Sequence, residues 1–470
     1  MHKEIIATLD IGSFKIVAAA GKKDDKGIVS VSAMETEMSN SSVRRGRIYN
    51  VDEVSNKIKS LIDRLNHQLN EKVSKIYVGI SGQSLKTEVY PVVEETGGVI
   101  VDELLLLSLR QQCEAYHPDF SEVLDIVSPE YFLNGEPEKN PIGVFCNKIE
   151  ARFQLVLGNP SIKSKLKTCI TEKNNIEIAG YLIGPIATAR AILTESEKIS
   201  GCALIEFGAG LTYLSIYKDG LLKYLASIPL GGNVITKDIC SLHIPENEAE
   251  DLKITYGNAL VETPNENNAI KNIKLQDNRD IELEVLNDII ESRTEEIIAN
   301  VKNLLELSGF SDSIRSGIVI TGGMAALKNL AESVKEKINP KVRLAHVKDN
   351  LVDEGSSTFG QTFGNEATIG LLSLGTENCI HVKEIEKIPT PPQTSLFSEE
   401  EVVVIKPNTN KKEGGTGKRK LPSDDQKEER GTGLFHRLTQ KAAKKVDQVS
   451  RGLFESVDST TDDNETEEEM

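Results

Sequence analysis

Three glycine turns, each placed directly after an apolar run, are the parts of this chain best suited to chemistry. The first is Asp10-Ile11-Gly12-Ser13-Phe14-Lys15, between the runs 4–10 and 14–20. Gly12 frees the backbone to bend and lets main-chain N–H groups approach an anion; Ser13 adds a hydroxyl and Lys15 a positive charge. The combination reads as a phosphate cradle built on a β-hairpin. The layout returns in the second half, where the run 202–207 leads through Glu206, Gly208, Ala209 and Gly210 into a strand starting at Thr212. Two acid-plus-glycine hairpins in one chain point to a duplicated core with one ligand held between the copies. The third turn, Gly322-Gly323-Met324, follows the run 316–321.

The elements that position these turns follow from hydrophobic periodicity. Residues 4–33 read as three strands (4–10, 14–20 and 27–33), followed by a polar loop, Ser39 to Tyr49, that carries Arg44, Arg45 and Arg47. Asp52 then caps a helix whose Val54, Ile58, Leu61, Ile62, Leu65 and Leu69 share one face, and 75–82 is a strand. Residues 84–160 interrupt this α/β layer as a small α+β insert, with a helix at 102–116 and an extended stretch at 129–143. A helix at 161–173, a strand at 176–183 and a helix at 185–198 complete the first half. The second half repeats the plan: strands 202–207, 212–218 and 221–228, then a helix from Asn233. A mainly helical insert, 246–310, surrounds a polar loop at 262–279; strand 316–321, a helix after Gly322 and a helix at 365–374 close the core. The expected domains are therefore 1–83 with 161–200, the insert 84–160, 201–245 with 311–380, and the insert 246–310.

Length and composition bound the remaining options. At 470 residues and 39% apolar content, the chain holds more than one sizeable core. A net charge of −17 argues against general nucleic-acid binding. The six cysteines are scattered without a C-x-x-C pair, so a disulfide framework or structural metal is not expected and a reducing compartment fits. No charged-then-apolar leader and no run of eighteen apolar residues stands out, so neither standard secretion nor a membrane span is expected.

The character changes near residue 381. Residues 381–432 form a polar linker expected to be disordered. Within 433–456, Leu434, Phe435, Leu438, Val449, Leu453 and Phe454 fall on one helical stripe, and Lys441 and Lys445 lie among the bases of the other face. A basic amphipathic helix of this kind lies in the interface of anionic membranes. Residues 457–470 are an acidic tail.

The three turns in this order resemble the phosphate-1, phosphate-2 and adenosine motifs of the actin/Hsp70/sugar-kinase superfamily. The details are most similar to the bacterial cell-division proteins of the FtsA family, over roughly residues 4–375. Supporting segments are Ile228-Pro229-Leu230-Gly231-Gly232-Asn233, Ala249-Glu250-Asp251-Leu252-Lys253, Ser292-Arg293-Thr294-Glu295-Glu296 and Asn140-Pro141-Ile142-Gly143. The resemblance implies an α/β, duplicated actin-like (ribonuclease H-like) core. It implies ATP held by Gly12, Ser13, Phe14, Lys15, Gly208, Ala209, Gly210, Thr212, Gly232, Glu250, Lys253, Gly322, Gly323 and Met324, and Mg2+ held through water by Asp10 and Glu206. It further implies filament formation, a groove near Arg293 for the C-terminal peptide of the tubulin-like protein FtsZ, contact with other division proteins, and a station on the cytoplasmic face of the membrane at the division site. Two departures bear on turnover. Many relatives carry aspartate where Glu206 stands and a glutamate where Gly184 precedes Pro185. Both point to binding with slow or absent hydrolysis. The alternatives are a small-molecule or sugar kinase of the same superfamily and a pilus-assembly actin homologue.

Overall fold

The computed structural model describes residues 4–261, 272–339 and 341–381, all within one compact unit spanning Met1–Glu386. The linker from 382, the amphipathic segment 433–456 with its Leu434, Phe435, Leu438, Lys441, Lys445, Val449, Leu453 and Phe454, and the acidic end lie outside the described residues.

Two sheets carry the fold, and they repeat one plan. In the first, Glu177–Ile183, Lys75–Ile80 and Ile5–Ile11 run parallel, and Lys15–Lys23 and Val29–Met38 continue antiparallel. In the second, Val342–Leu344, Ile318–Thr321 and Cys202–Phe207 run parallel, and Thr212–Lys218 and Leu221–Ile228 continue antiparallel. Each sheet therefore places one acid-plus-glycine hairpin at the end of its central strand. The strands are β-branched and alanine-rich, and Ile16, Val17, Ala18, Ala19 and Ala20 are fully buried beneath the covering helices. Helix Val51–Leu69 buries Val54, Ile58, Leu61, Ile62 and Leu65. Its cap is Asn50, whose side chain accepts from the Glu53 N–H, and the expected cap Asp52 sits in the first turn, where an acid favours the helix dipole.

Residues 84–160 fold around a small core of their own, including Leu109, Cys113, Ile149 and Phe153. The segment comprises strands Lys86–Ile100, Glu122–Leu133 and Phe145–Gly158 with helix Glu103–Glu114. The expected extended stretch at 129–143 begins inside a strand. Although it interrupts the first half in sequence, its sheet continues the second sheet through the pairing Ala226↔Lys86.

Several expected elements are shorter or divided. The helix expected over 185–198 is two, Gly184–Ile192 and Glu195–Ser200, because Thr194 and Glu197 form a capping box that starts the second. The helix at 161–173 turns into a π-helical stretch at Thr168–Glu172. Gly322, at φ 93°, is followed by a single tight turn, Gly323–Ala326, and the helix begins only at Leu330. The polar loop expected at 262–279 contains a short strand, Asn272–Lys274, paired with Asp280–Glu282. Helices Gly184–Ile192 and Glu366–Leu374 cross so closely that a Cβ on Gly370 would lie 2.0 Å from the Ala187 carbonyl oxygen.

Candidate functional site

The two hairpin turns are built alike. The Gly12 N–H donates to the Lys15 carbonyl at 3.0 Å, and the Gly208 N–H donates to the Leu211 carbonyl at 2.9 Å. Each glycine leaves the space that this close approach requires: a Cβ would sit 3.0 Å from Lys15 O in the first turn and 2.8 Å from Leu211 O in the second. The turns are braced from behind. Ser39 Oγ donates to Gly12 O, and the N–H groups of Gly232 and Asn233 donate to the carbonyls of Gly208 and Ala209. The turns also face each other, for a Cβ on Gly210 would lie 2.5 Å from Ser13 Oγ.

Between them opens a cavity of about 390 Å³, a volume ordinary for a small-molecule site. Asp10, Gly12, Ser13, Phe14, Lys15, Glu206, Gly208, Ala209, Gly210, Gly232, Glu250, Lys253, Gly322, Gly323 and Met324 line it. Thr212 does not. It is fully buried within its strand, and its hydroxyl donates to Leu230 O at 2.9 Å, so it secures the segment behind the second turn. Arg293 lies elsewhere, on helix Leu283–Leu307, bound to Asp238 and Glu296. Sequence reasoning missed Gly46, Ser81, Tyr213, Phe363, Gly364 and Glu366, which also line the cavity.

Acids dominate the interior. Burial pushes the Asp10 carboxyl up to about 6 against the pull of Lys15. Burial, reinforced by Glu366 and Asp10, pushes Glu206 up to about 8. Glu366 is likewise raised by burial, while accepting from Thr321 Oγ1 at 2.9 Å and from the Gly364 N–H at 2.8 Å. Burial lowers Lys15, which Asp10 and Glu366 partly offset; its ammonium donates to Asn365 Oδ1 at 2.8 Å. Lys253 is lowered by burial too, and it donates to Gly232 O, Thr236 Oγ1 and Glu250 Oε2. Those three bonds use every ammonium donor, so Lys253 buckles helix Gly232–Cys240 to helix Glu246–Tyr256 and has none to spare for a ligand.

Among the described residues Glu206 Oε2 is buried without a hydrogen-bond partner, an oxygen that a bound ion or its water could satisfy. Among the described residues no three His, Cys, Asp or Glu side chains converge to chelate a metal directly. Two acids beside a phosphate cradle fit Mg2+ that keeps most of its water and takes its other ligands from phosphate oxygens.

Comparison with known proteins identifies the scaffold. The family model described as Cell division protein FtsA matches residues 203–359. The Cell division protein FtsA of Porphyromonas gingivalis is 32% identical to this chain over 80% of it and 79% of the relative. That of Neisseria meningitidis serogroup B is 27% identical, over 73% of this chain and 84% of the relative. Among solved structures, the PilM-PilN type IV pilus biogenesis complex superposes with a TM-score of 0.54 at 15% identity, covering 78% of this chain and 97% of that one, a likeness of fold. The repeated sheets, the paired glycine turns and a relative this similar over most of its length place the chain in the FtsA family of actin-like cell-division proteins.

Proposed function

We propose that the cleft binds ATP with Mg2+ and that the bound nucleotide stabilises a polymerising state of a membrane adaptor. The observation that carries this reading is the apposition of Ser13 and Gly210, which aims two backbone cradles at one cavity. A triphosphate needs N–H donors, a hydroxyl and a cation; the turns, Ser13 and Lys15 supply them. Mg2+, when bound near Asp10 and Glu206, would offset phosphate charge. Among the described residues nothing donates a hydrogen bond to Glu250 Oε1, an acceptor suited to a ribose hydroxyl. Hydrolysis is slow or absent in this reading. Gly184 lines the cavity and brings no carboxylate to orient water, and a Cβ there would press to 2.9 Å of Ser81 Oγ.

The adaptor role joins this head to the amphipathic segment 433–456, which would settle on anionic lipid at the cytoplasmic face of the division site. Arg293 marks the surface proposed for the FtsZ C-terminal peptide, and copies of the chain would form filaments that other division proteins contact. The test is co-sedimentation of the full chain with anionic liposomes and the FtsZ peptide, with and without ATP. Lipid binding that survives deletion of 433–456 sinks the anchor, and rapid Mg2+-dependent phosphate release in a single turnover sinks the slow-hydrolysis reading.

A further inference from the structure

The arginine-bearing segment 43–48 is a miniature hairpin wedged at the seam between the two phosphate turns. Val43–Arg44 pairs with Arg47–Ile48, and Val43 and Ile48 are buried anchors. The two connecting residues, Arg45 and Gly46, both have positive φ, 48° and 68°. Such a turn suits Asn-Gly; a long, bulky side chain in the left-handed region is uncommon. Gly46 donates its N–H to Ser13 Oγ at 2.9 Å and lines the cavity, and Arg45 Cα would lie 3.2 Å from a Cβ on Gly210. The hairpin therefore touches the first turn through Gly46 and the second through Arg45.

The three arginines are used differently. Arg44 donates to Ser41 O and lies over the Tyr49 ring. Arg47 is exposed. Arg45 is half-buried, and among the described residues its guanidinium has no hydrogen bond and no ion pair. Meanwhile the cavity's own cations are both ammonium groups: Lys253 gives all three donors to the protein, and Lys15 gives one to Asn365 with Asp10 and Glu366 nearby. Four acids, Asp10, Glu206, Glu250 and Glu366, line the same space. A triphosphate entering it meets no fork-shaped cation among the lining residues, and the unpaired one belongs to Arg45, whose backbone abuts Gly210 and whose neighbour Gly46 lines the cavity.

We infer that Arg45 is a phosphate-binding residue, swinging from the seam to pair with the terminal phosphates of the nucleotide; this rests on the nucleotide reading above. The deciding variant is R45N, because asparagine accepts the left-handed turn more readily than arginine while the guanidinium is removed. ATP and adenosine affinities are measured on the full chain by calorimetry with Mg2+, alongside thermal melts without ligand. The expected result is an equal or higher melting temperature, ATP binding weakened at least about tenfold, and adenosine binding unchanged. R45K should fall between. Equal ATP affinity in R45N overturns the inference, as does an equal loss for ATP and adenosine, which would mark a structural role. A wild-type chain that binds adenosine and ATP equally also overturns it, whereas one that binds neither sinks the nucleotide reading beneath it.

Discussion

Gly210 and Ser13 come from hairpin turns on different sheets, yet a side chain on the first would collide with the second: an added Cβ would stand 2.5 Å from the hydroxyl and 2.8 Å from Ser13 Cβ. The contact joins the two halves at the point where their turns share the cavity. G210A should therefore force the seam apart, costing about 1–3 kcal/mol in stability and weakening ATP binding with it. Gly323 offers the contrast, since it lines the cavity and nothing lies within 4 Å of its would-be Cβ. G323A should melt like wild type and lose ATP affinity alone. Melts and ATP titrations of the two variants check this; a G210A chain as stable as wild type would refute the seam.

The buried acids give the ligand-free protein a particular pH response. Asp10 is raised to about 6 and Glu206 to about 8, so the folded chain holds these protons more tightly than the unfolded one. Their contribution is fully present below the ordinary carboxylate range and is lost as pH rises through the folded values. Stability without nucleotide should fall between about pH 4 and pH 8. E206Q removes the group responsible for the upper part of that window, so its stability should be flatter above about pH 7, where Asp10 has largely finished titrating. Denaturant titrations across the range decide it, and an unchanged slope in E206Q would discard the assignment.

What the sequence could disclose was whatever is local. An apolar run and a glycine turn sit within a dozen residues, so the three turns that line the cavity could be read directly. The contribution of Glu366 could not, because it opens a helix that follows no strand and glycine turn, and Thr321, 45 residues earlier, helps hold its carboxyl group in place. Gly46 hides in a polar loop whose hairpin is two residues per strand. Thr212 was misleading for the opposite reason. Adjacent to the second turn in sequence, it belongs to a strand, and its buried hydroxyl is spent on Leu230. Thr194 and Glu197 carried a legible capping signal inside an apolar run long enough to suggest one helix. The junction of the 84–160 insert with the second sheet rests on the register pair Ala226↔Lys86 and on side-chain bonds of Thr87 and Gln154 with strand Leu221–Ile228, which no periodicity announces.

Lys253 and Glu250 separate support from recognition. K253M strips a donor from Gly232 O, Thr236 Oγ1 and Glu250 Oε2, leaving a carboxylate without its buried partner. The expected cost is about 2–4 kcal/mol in stability. E250Q keeps an acceptor for Thr236 and Lys253, so it should cost less, while removing the charged oxygen proposed to accept from the ribose. The discriminating measurement is the ratio of ATP to 2′-deoxy-ATP affinity. It should shrink in E250Q; a ratio equal to wild type would remove Glu250 from the sugar site.

Arg293 is already engaged, and this shapes how it must be tested. Its guanidinium meets both carboxylate oxygens of Asp238, at 2.5 and 3.1 Å, and also Glu296, joining helix Leu283–Leu307 to helix Gly232–Cys240. About a third of each side chain is exposed, 30% for Arg293 and 32% for Asp238, so water screens the pair and R293A should cost less than about 1 kcal/mol in stability. A peptide carboxylate seeking Arg293 has to compete with Asp238. Removing that competitor's charge should help the peptide, whereas removing Arg293 should harm it. In fluorescence anisotropy with the FtsZ C-terminal peptide, D238N is therefore expected to bind severalfold tighter than wild type and R293A much more weakly, with both effects fading at high salt. Wild-type affinity in both variants would place the peptide elsewhere and leave Arg293 as a clasp between two helices.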